Sequence, residues 1–166
     1  MRWPWILVAL IIFAVPASAQ SLEERMKSAA GAYERRDFTA AIAVWRPLAE
    51  AGNAEAQTLL GAMYWSGEGL LRDHRQAAYW YLRAAEKGYA RAQNDIGYMY
   101  GFGEGIPPRD NVQAYKWLSL AVRNYSAKNQ ERLEQATKDL AAVRARLTPA
   151  QFADAERLIR DFRPVP

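Results

Sequence analysis

The chain has 166 residues, a formal net charge of +4, no cysteine and a single histidine. The missing cysteine excludes disulfide and thiol chemistry, and one histidine without cysteine leaves an ordinary zinc site short of ligands. Basic residues alternate with acids, as in Glu131-Arg132-Leu133-Glu134, so there is no cationic stripe from which nucleic acid could release counterions.

At the N-terminus, Met1 and Arg2 precede an apolar run from Trp5 to Val15 that ends in Pro16-Ala17-Ser18-Ala19-Gln20. This is the order of a secretory signal peptide, with small residues at Ala17 and Ala19 to enter a signal peptidase. The run of 11 apolar residues, at about 1.5 Å each, spans only about half of a ~30 Å hydrocarbon core. We therefore expect residues 1–19 to be cleaved after Ala19, leaving a periplasmic or secreted protein with no stable membrane insertion. No cysteine follows the run, so it is not a lipoprotein anchor. With Arg2 gone, 21 basic residues face 18 acidic ones, and Gln20 to Pro166 is long enough for one domain held together by packing alone.

Residues 20–53 are expected to form a helix pair, with Asp37-Phe38-Thr39-Ala40-Ala41 and Trp45 in its second half and Gly52 at its end. An internal repeat follows. Ala54-Glu-Ala-Gln-Thr-Leu-Leu-Gly61-Ala-Met-Tyr64-Trp-Ser-Gly67-Glu-Gly69 is matched 36 residues later by Ala90-Arg-Ala-Gln-Asn-Asp-Ile-Gly97-Tyr-Met-Tyr100-Gly-Phe-Gly103-Glu-Gly105. After one inserted residue, Asp73, Ala77, Trp80 and Ala84 correspond to Asp110, Ala114, Trp117 and Ala121, all 37 apart. The units therefore run over 54–89 and 90–125.

Within each unit, Ala56, Leu60 and Tyr64 follow one face of a first helix, and Ala77, Trp80 and Ala84 follow one face of a second. The glycine-rich turns at 67–69 and 103–105 end the first helices, and Gly88 suits the end of a second. Asp73 and Asp110, each followed three residues on by Gln76 or Gln113, have capping-box spacing. Gly61 and Gly97 lie inside helices, where glycine costs about 1 kcal/mol relative to alanine. A close helix approach would offset that cost, with Ala77, Ala84, Ala114 and Ala121 as the expected small partners. Tyr64, Trp80, Tyr100 and Trp117 would fill the space between pairs.

Residues 126–166 leave the repeat. Two more helices are expected, at about 130–146 and 149–161, the second opened by a Thr148-Pro149-Ala150-Gln151 start. They read as the terminal cap of a stack, with Phe152, Leu158 and Ile159 packing back on the last unit.

Motifs that carry chemistry are scarce in the chain. There is no G-x-S-x-G, S-x-x-K, H-E-x-x-H or P-loop pattern. His74 is expected as an exposed first-turn residue, its counterpart being Asn111. The glycines at 101–105 follow a helix, whereas a phosphate cradle leads into one. Glu68 and Glu104 could stack as a carboxylate pair, but residues that recur with the architecture are more often parts of the turn. No catalytic residue, metal site or cofactor is predicted.

The two units resemble the Sel1-like repeat, a relative of the tetratricopeptide repeat. Its pattern A-x-A-Q-x-x-L-G-x-x-Y-x-x-G-x-G-V is followed by D-x-x-x-A-x-x-W-x-x-x-A-A-x-x-G. Leu70 and Ile106 stand where valine is usual, Leu71-Arg72 replaces a proline-containing turn, and Ile96 replaces leucine. Asp37 to Trp45 is similar to the second half of a tetratricopeptide unit. The resemblance implies an all-α fold, a short right-handed α-solenoid of antiparallel helix pairs with C-terminal capping helices. It also places Glu55, Thr58, Ala62 and Trp65, then Arg91, Asn94, Tyr98 and Phe102, on the concave face, the usual binding surface of a solenoid. Trp65 and Phe102 could anchor a partner or merely cover a neighbouring helix; the residues alone leave both open.

The function implied by the resemblance is non-enzymatic: an exported adaptor, scaffold or regulator holding a protein or peptide. One alternative is an envelope enzyme, since some exported Sel1-like proteins resemble proteins that bind or hydrolyse β-lactams; those relatives are rich in cysteine, and this chain has none. Another is a structural protein that self-associates weakly through an end of its stack.

Overall fold

The computed structural model describes residues 21–103, 105 and 108–166. The expected signal peptide and Glu104, one half of the carboxylate pair considered above, lie outside the described residues. The described residues form eight α-helices and one short 3-10 turn: α1 (Leu22–Glu34), α2 (Phe38–Glu50), α3 (Ala54–Ser66), α4 (His74–Glu86), α5 (Ala90–Phe102), α6 (Asn111–Asn124), α7 (Gln130–Arg144) and α8 (Pro149–Asp161). From α1 to α7 each packs chiefly on its neighbours in sequence, the arrangement of a short right-handed α-solenoid, and α8 packs on α6. Among the described residues no helix is long and apolar enough to cross a membrane.

Local chemistry sets the boundaries. Asp37, Asn53, Asp73 and Asp110 each accept a backbone N–H from the first turn of the following helix. The expected capping boxes at Asp73 and Asp110 are not closed. Their own backbone N–H groups, which a box would give to Gln76 and Gln113, instead reach back to Tyr64 O at 2.9 Å and Tyr100 O at 3.0 Å. Each bond folds the glycine turn against the helix it leaves. Complete boxes form at Ser21 with Glu24 and at Thr148 with Gln151. Gly67 and Gly103 end α3 and α5 with φ of 78° and 73°, a conformation costly for other residues.

The cores repeat with the sequence. Ala56, Leu60, Ala77 and Ala84 are fully buried, as are Ala92, Ile96, Ala114 and Ala121. Gly61 and Gly97 are points of close approach within each pair; the expected Ala77 meets Gly61 through its carbonyl, 3.3 Å from where a Cβ would stand, but the nearest side chains are larger than alanine. A Cβ on Gly61 would lie 2.9 Å from the Tyr81 ring, and one on Gly97 would lie 2.9 Å from Leu118 Cγ and 3.0 Å from Leu118 N. Glycine thus makes room for a large side chain crossing from the second helix.

The glutamine that recurs in each unit is buried too. Gln57 Nε2 donates to Ala49 O at 3.0 Å and Gln93 Nε2 to Ala85 O at 3.1 Å, joining each unit to the last turn of the helix before it. Those carbonyls belong to the helix-end acceptors that lack an intrahelical donor.

The pair α1–α2 stands in register with the units after it. Phe38 lies against Gly69 as His74 lies against Gly105, 36 residues on in both members. The α1–α2 link (35–37) has three residues where the α3–α4 link (67–73) has seven, so the glycine turn is missing there.

At the other end, α7 and α8 both pack on α6. Phe152 meets the edge of Tyr115 at 5.4 Å under the Arg144 guanidinium, and Phe162 meets Trp117 at 5.5 Å. Ile159 joins the Trp117 cluster as expected, and Ala155, which the apolar pattern did not single out, is the fully buried residue of α8. The segment after α8 crosses to α4: Val165 N donates to Glu86 O at 2.9 Å, and Lys87 Nζ to Pro166 O at 2.6 Å.

Candidate binding groove

The first helices of successive pairs, α1, α3 and α5, together with α7, turn one face each toward a concave groove of about 510 Å³. Helical spacing puts Ala62 and Trp65 of α3 on that face, and Arg91, Asn94, Asp95 and Tyr98 of α5. Tyr33 comes from α1, Glu68 from the glycine turn, and Gln135 and Asp139 from α7.

One side of the groove is a tyrosine–carboxylate contact. The Tyr33 hydroxyl donates a short hydrogen bond to the Glu68 carboxylate, and Ser66 Oγ donates to the same oxygen at 3.3 Å. The bond to Glu68, followed by burial, raises the Tyr33 pKa above the ordinary phenol value. It also ties the α3–α4 turn to α1 across 35 residues of sequence.

The floor is the first half of α5. Arg91 Nε stands 3.9 Å from Asp95 Oδ2, one helical turn away, and this nitrogen has no hydrogen-bond acceptor. Asn94 Nδ2 donates to Asp95 Oδ1 at 3.4 Å, while the buried Asn94 Oδ1 has no donor. Loss of water holds the Asp95 carboxyl above the usual carboxylate range, with Arg91 and the Asn94 amide pulling the other way. On the far side, Gln135 Nε2 donates to Asp139 Oδ1 at 3.0 Å. Among the described residues no three His, Cys, Asp or Glu side chains converge closely enough to hold a metal ion. The carboxylates are spread along the groove.

Of the concave-face residues named from the sequence, Ala62, Trp65, Arg91, Asn94 and Tyr98 line this groove together. Thr58 does not: it is fully buried, its hydroxyl donating to Ala54 O one turn back at 2.8 Å. Glu55 lies apart, lining a separate depression with Leu22, Met26 and Lys27. Phe102 stacks on Tyr98 with centroids 4.5 Å apart and sits under the Arg146 guanidinium, but does not line the groove. The residue 36 after Trp65 is Gly101, where a Cβ would lie 3.0 Å from Val143 of α7.

Trp65 lines the groove while its ring stacks on His74 at 4.4 Å. Tyr33, Asp95, Gln135 and Asp139 were not foreseen. Asp95 is legible in hindsight as the acid four residues after Arg91, the spacing of a helical ion pair.

A stack of antiparallel helix pairs with a repeated A-x-A-Q and G-x-G pattern defines an α-solenoid of the Sel1 class. The Sel1 repeat model matches residues 54–89 and 90–126. The structure of a Sel1 repeat protein from Oxalobacter formigenes is similar at TM-score 0.57 and 30% identity, covering 68% of this chain and 87% of that one. A second similar structure is c5321, described as a protective antigen present in uropathogenic Escherichia coli strains and displaying an SLR fold. It aligns at TM-score 0.76 and 29% identity over 88% of this chain, which spans 30% of that longer protein. No curated protein matches the sequence. The chain belongs to the Sel1 repeat family, whose members generally mediate protein–protein interaction.

Proposed function

We propose that this protein is an exported, non-enzymatic adaptor that holds an extended peptide segment of a partner in the groove between α3, α5 and α7. The observation that carries the reading is the lining: Trp65 and Tyr98 on adjacent first helices, with hydrogen-bonding groups of Asn94, Asp95 and Gln135 between and beside them. Aromatic anchors among polar groups are what interface hot spots favour, because a rigid ring removes much area from water at low entropic cost. Burying such a ring in a partner contributes about 1.5–3 kcal/mol.

Export rests on the order of residues 1–19. If it is right, the protein recovered from outside the cytoplasm begins at Gln20, which intact-mass measurement reads directly; a chain retaining Met1 in the cytoplasm would overturn it.

For the groove, the test is photocrosslinked capture of partners by the wild type and by the Trp65→Ala, Tyr98→Ala double variant. Capture is expected to fall at least about tenfold, equivalent to about 1.4 kcal/mol. Thermal unfolding run in parallel separates loss of the surface from loss of the fold. Undiminished capture by a folded double variant would remove the groove from consideration.

A further inference from the structure

The groove reverses the charge of the molecule. The whole chain carries +4, with a sequence pI near 9.4. The groove is nonetheless lined by three carboxylates, Glu68, Asp95 and Asp139, against one cation, Arg91.

That cation serves the acids poorly. It reaches Asp95 at 3.9 Å, beyond a good charge-assisted hydrogen bond, and its Nε is left without an acceptor. Asn94 Oδ1, on the same floor, is a buried acceptor that no donor meets, and a buried polar atom in that state is costly. The floor thus leaves one donor, Arg91 Nε, and one acceptor, Asn94 Oδ1, unmatched, and the groove as a whole carries two more carboxylates than cations. Around it stand Trp65, Tyr33 and Tyr98, whose ring faces attract a guanidinium or ammonium group.

We infer that the groove selects its peptide by one arginine or lysine side chain, seated between the aromatic walls and the Asp95–Asn94 floor. This rests on the groove being the peptide site, as proposed above. Such a side chain gives its N–H groups to the part-exposed Asp95 carboxylate and lays its apolar stem along Trp65, the two demands that a snorkelling cation meets at once. The acids are distributed, with no three of them arranged around a metal ion, so a chain passing along the groove fits them better than a bound cation alone. A second basic residue on the peptide would meet Glu68 or Asp139.

The probes are alanine-based heptapeptides bearing arginine, lysine, citrulline, norleucine or glutamate at the centre. They are titrated against the protein purified from its full-length gene, with amide chemical shifts as readout. Arginine and lysine peptides are expected to bind at least about tenfold tighter than citrulline and norleucine peptides, with the largest shifts at Trp65, Asn94 and Asp95. Asp95→Asn should reduce that preference to less than about twofold while its thermal unfolding stays close to wild type. Equal affinity for arginine and citrulline, or a preference for glutamate, overturns the inference and leaves the groove standing as a peptide site. Shifts confined to another surface, or no binding by any of the peptides, overturn both.

Discussion

Trp65 and Gly101 occupy the same place in successive repeats, 36 residues apart, and have opposite fates. Trp65 stands on open groove with its ring over His74, while Gly101 is buried beneath α7, its missing side chain leaving room for Val143. The core positions of α3 and α5 show no such divergence: Ala56 and Ala92, Leu60 and Ile96, Met63 and Met99 are all buried. Packing inside a helix pair constrains the core alike in every unit, whereas the concave face answers only to what lies beyond it. At Trp65 that is the open groove, and at Gly101 it is the cap.

The sharpest way to break this contrast is to make the second repeat like the first. Gly101→Trp would drive an indole into Val143 and Ala114, and overpacking of a closed site costs about 3 kcal/mol or more when the ring cannot turn outward. The expected result is loss of the α7 docking, read as faster amide exchange across α7 together with a lower denaturant midpoint. An unchanged midpoint would mean that α7 holds its place without Gly101.

A smaller effect separates the two buried glutamines. Gln93 both donates to Ala85 O and accepts from Asn124 Nδ2 at 2.9 Å, whereas Gln57 donates to Ala49 O and its Oε1 has no partner. Gln93→Leu removes two hydrogen bonds, leaving Ala85 O with Gly88 N and Asn124 Nδ2 with Gly88 O, and is expected to cost about 2 kcal/mol, against about 1 kcal/mol for Gln57→Leu, which removes one. Chemical denaturation of the two variants tests the order, and equal losses would deny Asn124 its role.

The smallest effect at neutral pH comes from the pair Tyr81 and Leu118, which fill equivalent space against Gly61 and Gly97. Burial pushes the Tyr81 hydroxyl well above the ordinary phenol value. A group whose folded-state pKa is raised gives stability that is complete below its unfolded value, about 10, and is lost as pH rises beyond it. Tyr125, pushed up to about 12 mainly by burial, adds to the same alkaline loss. Tyr81→Phe should therefore sit within about 1 kcal/mol of wild type at pH 8, yet lose less stability between pH 10 and 11.5. Urea midpoints at the three pH values decide it; parallel curves would show that Tyr81 does not ionise on unfolding in this range.

The fold was legible in the residues because every local signal repeated. Two copies of A-x-A-Q, G-x-x-Y and G-x-G with an aspartate cap specify two helix pairs, and the Thr148 to Gln151 start marks α8. The groove was legible only where it lies on the repeat itself, at Ala62, Trp65, Arg91, Asn94 and Tyr98. Its remaining walls arrive from Tyr33, Glu68, Gln135 and Asp139, which belong to α1, a turn and the cap, so no shared helical spacing announces that they meet. Thr58 was misplaced because a threonine on a polar stripe can turn its hydroxyl back to its own helix and be buried without penalty. Phe102 was misplaced by one position: the register inherited from Trp65 falls on Gly101. The large partners of Gly61 and Gly97 were hidden because a glycine tells that something comes near, not how large it is.

The crossing from Phe162 to α4 has a consequence for how this array comes apart. In an open stack each unit leans only on its neighbours, and the last helices can fray without disturbing those further in. Here Val165 and Pro166 are bonded to Glu86 and Lys87, and Phe162 lies on Trp117 of α6, so the segment after α8 is buckled back to α4, four helices earlier in the chain. Peeling α8 away must therefore also break the bonds to Glu86 and Lys87, so the edge of this short array is held by more than its nearest neighbour.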